Sequence, residues 1–231
     1  MLVYEERAPP AHLAPFVRCF WTLRGEGDPT QADRILPDGS FEIIFHRADP
    51  FTREGKTQPA AMLVGEIRRP TVISSSRHAD VFGIRIRLGG FSALTGLHAR
   101  DYRDEIVDLR EVKLTRHPSE PDRRVTAAVA ELVREHGNIR IRDVVDRIGT
   151  TERTLERLFD RHVGLRPKEL SRIVRFQAAL RGVEAGYYDD SHRIHDFQEF
   201  AGTTPAAIRA ESTEVTDAFV GNLQDDAALL R

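Results

Sequence analysis

The stretch IRIRDVVDRIGTTERTLERLFDRHVGLRPKEL, residues 139–170, holds two helical patterns separated by a glycine. The apolar face of the first pattern is made of Val144, Val145 and Ile148. This pattern stops at Gly149, a residue that commonly ends helices. Thr150 or Thr151 can then begin a second helix, because a hydroxyl at that position accepts a hydrogen bond from an unpaired backbone N–H.

The second pattern predicts a helix from Thr151 to His162 with one apolar and one polar face. Its apolar residues are Leu155, Leu158 and Phe159, and its polar ones are Arg153, Thr154, Glu156 and Arg157. A helix, a tight turn and a capped second helix follow one another in helix-turn-helix order. Side chains of this polar kind can reach base edges and phosphates in DNA. An ordinary helical hairpin with a solvated charged face would give the same spacing.

A family resemblance separates these two interpretations. The segment TTERTLERLFDRHVGLRPKELSRIVRFQAAL (150–180) resembles the DNA-binding domain of the AraC/XylS family of transcription regulators, and GYYDDSHRIHDFQEFAGTTPAAI (186–208) resembles its C-terminal signature. The resemblance covers about residues 124–210. It implies an all-α domain of two helix-turn-helix units joined by a long helix, here PKELSRIVRFQAALR (167–181).

The resemblance also implies which residues contact DNA. In the first unit these are Thr151, Arg153, Thr154, Glu156, Arg157 and Arg161; in the second they are Ser191, His192 and His195. Arginine can bind guanine through two hydrogen bonds or hold a phosphate, and Glu156 can accept from cytosine N4.

The second unit departs from the family pattern. Only residues 182–185 lie where the family has the first helix of this unit, and four residues are too few for two helical turns. Arg193 occupies a position that is usually apolar and faces the core of the unit, while Gln198 and Glu199 replace usually basic residues. Losing positive charge weakens phosphate binding. We therefore predict a degenerate second unit that keeps Tyr187, Tyr188 and the helix core. The predicted core residues of this helix are Ile194, Phe197 and Phe200.

The first third of the chain is predicted to be rich in strands. FVRCFWTLR (16–24), AMLVGEI (61–67), TVISSS (71–76) and VFGIRIRL (81–88) have the composition or alternation of strands. Phe82, Ile84, Ile86 and Leu88 should form the apolar face of the last one. FVRCFWTLRG, LPDGSFEIIF, VGEIRRP and FGIRIRLGGFSALTG resemble an uncharacterised β-rich domain often found ahead of AraC-type domains.

Four finer local predictions accompany these strands. Asp38-Gly39 lies between two apolar runs, as in a β-hairpin turn. The segment DPFTREGKTQPA (49–60) has a polar loop composition. GGFSALTGL (89–97) switches to helical spacing, and RDEIVDLREV (103–112) predicts another short helix.

The resulting fold class is α+β, with a β-rich N-terminal domain followed by an all-α helix-turn-helix domain. The segment HPSEPDRR (117–124) has two prolines and no apolar residue, which is typical of a linker. We predict a sensory or dimerisation domain over 1–115, a linker over 116–123, the helix-turn-helix domain over 124–210 and an acidic tail over 211–231.

The amino-acid composition is that of a soluble globular protein. The 231 residues are 40% hydrophobic and 30% charged, as in ordinary soluble globular proteins, and no apolar run approaches a membrane span. The first ten residues lack the pattern of a secretory signal. The single cysteine, Cys19, fits a reducing cytoplasm, and we expect it to be a small buried hydrophobe rather than a nucleophile. The net charge of −2 does not by itself indicate a nucleic-acid binder.

Three other functions have weaker support in the sequence: a metal site, a site for an anionic effector and an enzyme active site. His192 and His195 could bind a metal with nearby carboxylates, although a polar exposed helix face explains them as well; we expect no metal and no cofactor. Arg85 and Arg87 share a strand face and could bind an anionic effector, or pair with Glu42 or Glu66 across strands. No phosphate loop, nucleophile elbow or HExxH motif supports an enzyme.

The sequence therefore predicts a cytoplasmic, bacterial-type transcription regulator that acts mainly through its first recognition helix. Its expected partners are double-stranded DNA, RNA polymerase, a small-molecule effector and a second copy of the chain. The alternative is a ligand-sensing or protein-interaction protein that has lost specific DNA binding.

Overall fold

The computed structural model describes residues 1–114, 118–183, 186–187 and 189–210. Strands dominate the strand-rich part, residues 1–114, and helices dominate the helical part, residues 118–210 within those limits. The predicted α+β class is therefore confirmed. The predicted acidic tail over 211–231 lies outside the described residues, as do residues 115–117 of the linker region.

Two antiparallel sheets face each other in the strand-rich part. The strands are β1 Leu2–Arg7, β2 Val17–Glu26, β3 Asp33–Ile35, β4 Glu42–His46, β5 Thr52–Arg53, β6 Lys56–Thr57, β7 Ala61–Val64, β8 Thr71–Ser74, β9 His78–Ile86 and β10 Ile106–Asp108. The larger sheet has the order β1-β2-β9-β4-β7-β10, and the smaller one has the order β3-β8-β5-β6. Apolar side chains of both sheets meet between them, around Trp21 and Phe51.

The predicted apolar face of β9 is partly confirmed, because Ile86 and, just beyond the strand, Leu88 are buried. Val81, Gly83 and Arg85 point into the buried interior, whereas Phe82 and Ile84 are only half-buried on the opposite face. The reason is Trp21 on β2, which fills the space above Gly83 so closely that a Cβ there would lie 1.9 Å from the indole. A bulky apolar residue at position 83 has no room, so the period-2 pattern alone did not show that this second face is buried as well.

Three local predictions also need correction. Asp38-Gly39 does not close a hairpin, because β3 pairs with β8 while β4 pairs with β7 and β9 in the other sheet. The segment 49–60, predicted as a polar loop, contains the β5–β6 hairpin, whose two turn residues Glu54 and Gly55 both have positive φ. The segment 103–112 is not a helix but contributes β10, which adds to the edge of β7.

The helices are α1 Phe91–Thr95, α2 Arg123–Arg134, α3 Ile141–Ile148, α4 Glu152–His162, α5 Pro167–Leu180, α6 Asp190–Ala201 and α7 Pro205–Ala210, with a 3₁₀ helix at Ala99–Tyr102. The predicted helix in 89–97 is thus confirmed as α1. Among the described helices, none combines the length and the apolar character needed to cross a bilayer.

The two parts share one apolar core. Leu36 and Leu88 of the strand-rich part are buried in the same cluster as the apolar faces of α2 to α6. Hydrogen bonds cross the boundary as well: Gln177 on α5 is fully buried and donates to the Pro37 carbonyl at 2.7 Å, and Arg34 donates to the Ala201 carbonyl at 2.8 Å. The predicted domain limits stay a prediction, but the orientation of the helices is fixed by the strand-rich part.

Candidate nucleic-acid interface

The α3–α4 connection has the geometry expected of a helix-turn-helix. Gly149 ends α3 with a left-handed φ of 67°, and its N–H donates to the Val145 carbonyl. No atom would lie within 4 Å of a Cβ at position 149, so the backbone conformation, and not close packing, favours glycine there. Thr151 then caps α4: its Oγ1 accepts from the N–H of Thr154 at 3.2 Å.

Replacing Thr151 with alanine is expected to lower the free energy of unfolding by about 1 kcal/mol, because one backbone donor of the first turn of α4 loses its acceptor. Urea unfolding monitored by circular dichroism measures this effect. Thr150→Ala is the matched control, since the Thr150 hydroxyl has no hydrogen bond within the described part of the chain. Equal losses in the two variants would contradict the assigned cap.

The exposed face of α4 carries two parallel rows of charge. Residues four apart lie on one side of a helix. The basic row is Arg153, Arg157 and Arg161, and the acidic row is Glu152, Glu156 and Asp160. The opposite face buries Leu155, Leu158 and Phe159, as predicted. None of the three arginines has a side-chain ion pair within the described residues, so all three remain free to bind an anion.

The C-terminal end of α4 packs against the strand-rich part. Arg100 on the 3₁₀ helix pairs with Asp160 at 2.9 Å, which neutralises one member of the acidic row. The Ser92 hydroxyl on α1 lies 2.6 Å from the Arg161 carbonyl. The N-terminal half of α4, with Arg153 and Arg157, points away from these contacts and is exposed.

The joining helix and α6 pack through aromatic rings. Phe176 on α5 is edge-on to Phe197, with ring centroids 5.0 Å apart, and lies 5.4 Å from Phe200. The apolar side chains of α5 face the core: Leu170, Ile173, Val174 and Phe176 are buried, and Leu180 is half-buried. No residue described between Leu180 and Asp190 is helical, in agreement with the predicted loss of the first helix of the second unit.

Two predictions on α6 are wrong. Ile194, expected in the core, is 46% exposed, and Arg193, expected to face the core, is exposed and pairs with Asp190 at 2.8 Å. Asp196 is buried instead, because Arg172 on α5 reaches its carboxylate at 2.7 Å. The helix is therefore rotated relative to the predicted pattern, and its inward charge is neutralised from the neighbouring helix.

The metal interpretation of this region is not supported by the geometry. Donor atoms of His195, Asp196 and Glu199 lie within 4.8 Å of one another. The Arg172 guanidinium already contacts both carboxylates and approaches the His195 ring at 3.5 Å. It also lies over the Phe200 ring, 5.0 Å from the centroid. A guanidinium thus takes the position that a metal ion would need.

The exposed faces of α4 and α6 differ in charge. Of the predicted contacts on α6, Ser191, His192 and His195 are exposed, and His192 is held by the Asp189 carboxylate at 3.0 Å. The one arginine of α6, Arg193, is paired with Asp190. Within the described residues, α6 therefore offers no unpaired arginine for phosphate, whereas α4 offers three. Tyr187 stacks under Arg175 at 5.5 Å, and Tyr188 lies outside the described residues.

The strand-rich part contains a cavity of about 90 Å³ between its two sheets. Its walls are mostly apolar, with Trp21 and Phe51 among them, and its charged groups are Asp38, Glu42 and Arg53. Arg53 places a cation in this lining, so the charges of the wall do not exclude the anionic effector that Arg85 and Arg87 suggested.

Neither of those arginines lines the cavity. Arg85 is fully buried, and its Nε donates to Glu42 at 2.7 Å directly across the strands, which is the first of the two predicted pairings. Glu66 does not pair with it. Arg87 instead donates to the Ala14 carbonyl at 2.6 Å, at the edge of the sheet. Both side chains therefore have structural partners.

Cys19 is buried, as predicted, in the apolar cluster between the sheets. Burial raises the pKa of its thiol to about 12, so the reactive thiolate is scarce at neutral pH. This agrees with a packing role.

Sequence patterns did not indicate Glu66, Arg103 or Gln177, three polar residues that lie where the two parts meet. Each of them acts through a residue more than 35 positions away, and no local periodicity reports such a contact. The acidic residue Asp196, which lies beside the apolar Phe197 on α6, was a local sign of the ion pairs that Arg172 makes with Asp196 and Glu199.

The strand-rich part matches a family model described as "Domain of unknown function (DUF6597)" over residues 5–108. Among curated proteins, none matches this chain. Among solved structures, ToxT from Vibrio cholerae is similar at 13% sequence identity and a TM-score of 0.48, covering 84% of this chain and 99% of that one. ToxT from Vibrio cholerae O395 is similar at 11% identity and a TM-score of 0.45, covering 84% and 98%. Similarity this low identifies neither a family nor a function.

Proposed function

We propose that this protein is a DNA-binding transcription regulator of the AraC/XylS kind that reads DNA mainly with α4. The single observation that carries the proposal is the row of Arg153, Arg157 and Arg161. These side chains are exposed and unpaired within the described residues, on a capped second helix of a helix-turn-helix. An unpaired arginine row on such a helix suits a polyanion with a groove wide enough to admit the helix.

The proposed roles follow from position along α4. Arg153 and Arg157 lie toward the N-terminal half of the helix, which is the half that reaches base edges in helix-turn-helix proteins. Glu156 lies beside them and can accept from cytosine N4, while Thr151 and Thr154 can donate to phosphate. Arg161, near the end that packs on the strand-rich part, is better placed for the phosphate backbone.

The second unit is proposed to contribute little to affinity. Its predicted contacts Ser191, His192 and His195 include no arginine or lysine, and phosphate contacts by such residues supply most nonspecific affinity. A protein that contacts only one major-groove segment gains affinity when it dimerises and its two copies bind adjacent half-sites. The second binding event then becomes intramolecular. The family resemblance adds a second copy, RNA polymerase and a small-molecule effector as partners of the proposed regulator.

Replacing Arg157 with alanine is expected to weaken specific DNA binding about tenfold or more, since one bidentate base contact contributes about 1–3 kcal/mol. If Arg157 holds a phosphate instead, affinity falls uniformly across sequences and the slope of log affinity against log salt decreases by about one. The measurement is selection of bound fragments from a genomic library, followed by titration of the enriched sequence at several salt concentrations.

Arg7→Ala is the control for that test, because Arg7 lies on β1 with its side chain 82% exposed and far along the chain from the helices. Wild-type affinity in this control and a large loss in Arg157→Ala support the proposal. Undiminished specific binding by Arg157→Ala would show that α4 is not the reading helix. No enrichment of any sequence at low or moderate salt would favour the alternative, a sensing or interaction protein without specific DNA binding.

A further inference from the structure

Glu66 is a buried acid at the boundary between the two parts. It follows β7 and Gly65, and its side chain is 0% exposed. Neither of its carboxylate oxygens accepts a hydrogen bond from a described residue. The nearest cation, Arg103, has its Nε 3.5 Å from Oε1, which is beyond good hydrogen-bond geometry. An ionised carboxylate in this position would lose its hydrogen bonds to water without gaining equivalent ones from the protein, which costs free energy.

The carboxyl group of Glu66 lies directly against the helical part. A Cβ at Gly164 would come within 2.3 Å of Glu66 Oε1, so the acid packs on the backbone immediately after Val163, the residue that follows α4. Gly164 itself adopts φ +84°. Its carbonyl accepts a hydrogen bond from Arg103 Nε at 2.6 Å, and Arg103 Nη2 reaches the same oxygen. Glu66, Arg103 and Gly164 together form what we call the boundary cluster.

The charges around the boundary cluster do not balance an ionised Glu66. Arg103 attracts the carboxylate, but its donors point to Gly164, and neighbouring Asp104 repels it. Arg68, on the same segment as Glu66, is held by Asp104 at 2.7 Å and lies near Glu169 on α5. On α4, His162 is the nearest titratable group along the chain, and burial lowers its pKa. Burial raises the pKa of Glu66 to about 8, from 4.5 for the free side chain.

We propose that Glu66 is a proton-dependent contact between the strand-rich part and α4, in which the neutral carboxyl stabilises the packed arrangement and its ionisation loosens it. The neutral acid removes the cost of a buried negative charge that accepts no hydrogen bond from a described residue. Ionisation restores that cost and favours a state in which Gly164 moves away and water reaches the carboxylate. Because α4 ends at this cluster, the protonation state of Glu66 then influences how freely α4 can move.

The sign of the pH dependence follows from linkage. In the packed state Glu66 keeps its proton up to about pH 8, and in the opened state it loses the proton near pH 4.5. Between these values the packed state binds one proton more, so the opening constant rises by up to about tenfold per pH unit. Below pH 4.5 and above pH 8 the contribution is constant. His162 acts in the opposite direction, because its lowered pKa makes opening more favourable as pH falls through 6.5.

Hydrogen exchange measured by mass spectrometry at pH 5.5, 6.5 and 7.5, corrected for intrinsic exchange rates, tests this proposal. In the wild type, opening of the segments 99–106 and 159–166 should increase by up to about 100-fold between pH 5.5 and 7.5. Glu66→Gln keeps the shape but cannot ionise, so its opening should not increase with pH. The matched control is Glu105→Gln, an exposed glutamate on the adjoining segment, which should behave like the wild type.

Equal pH dependence in the wild type and Glu66→Gln would overturn the proposal. If Glu66→Gln does not fold, a carbon-13 NMR titration of the wild-type side-chain carboxyls decides: a Glu66 carboxyl that titrates near pH 4.5 overturns it, and one that titrates above pH 7 supports it. The influence on DNA binding rests on the proposed function. Hydrogen exchange reports on the contact without DNA, so failure of the DNA-binding proposal would leave this test intact.

Discussion

Replacing Glu42 with alanine is expected to lower the free energy of unfolding by about 3–5 kcal/mol, since it removes one partner of a buried ion pair. Arg85 is fully buried, and its Nε lies 2.7 Å from Glu42 Oε1; a second carboxylate, that of Glu6, is 3.3 Å from Nη1. Trp21 Nε1 also donates to Glu42, at 3.1 Å. The substitution thus disturbs two donors in the interior between the sheets at once.

Urea unfolding monitored by tryptophan fluorescence measures the effect, because the one tryptophan of the chain contacts Glu42 itself. Glu5→Ala is the control; Glu5 is 57% exposed in a 3.9 Å ion pair with Arg7 and should change stability by less than about 0.5 kcal/mol. Combining Glu42→Leu with Arg85→Met should recover most of the loss, because an apolar pair of similar volume removes the buried charges. A loss below about 1 kcal/mol in Glu42→Ala would show that the pair is more hydrated than its burial indicates.

This ion pair also shows where the sequence was informative and where it was not. The alternation in residues 81–88 correctly indicated a strand, and the cross-strand partner Glu42 was one of two candidates. The pattern could not tell which side faces inward, because Arg85 becomes an interior residue only when Glu42 and Glu6 converge on it. Steric exclusion above Gly83 by Trp21 is a second tertiary cause that no local pattern contains.

The helical part was predicted more fully than the sheets. The caps, the glycine turn and the apolar faces of α3, α4 and α5 are local signals, and the structure has all of them. α6 was the exception, since Asp196 is buried by a charge from Arg172, 24 positions earlier in the chain. Local sequence signals predict a helix and its ends. Which face of α6 is buried depends on the ion pair between Asp196 and Arg172, which are distant in the sequence.

The candidate site divides in the same way. Of the nine DNA contacts that the family resemblance implies, five lie on α4 and a sixth, Thr151, is its N-cap. The boundary cluster behind α4 could not be predicted, because Glu66 and Gly164 are nearly one hundred positions apart and meet only through the shared core. A candidate helix with an exposed arginine row can therefore be found from the sequence, while the contacts that hold its far end cannot.

Replacing Phe176 with alanine is expected to lower the free energy of unfolding by about 3–5 kcal/mol, because a fully buried ring would leave a cavity between α5 and α6. Its ring lies edge-on to Phe197 and is tilted against Phe200, and these contacts join the two helices. We therefore expect hydrogen exchange across 190–201 to accelerate more than across 152–162, whose apolar face packs on α2 and α3 as well.

Ile194→Ala is the matched control, because this side chain lies on the same helix but is 46% exposed, and its removal should cost less than about 0.5 kcal/mol. The DNA affinity of folded Phe176→Ala then shows how much each of the two helix-turn-helix units contributes to binding. If α4 reads alone, affinity at a temperature where the variant is folded should stay within a few-fold of the wild type although α6 is loosened. A loss as large as that of Arg157→Ala would mean that α6 contributes to binding despite its lack of unpaired arginines, and that the second unit still takes part in reading DNA.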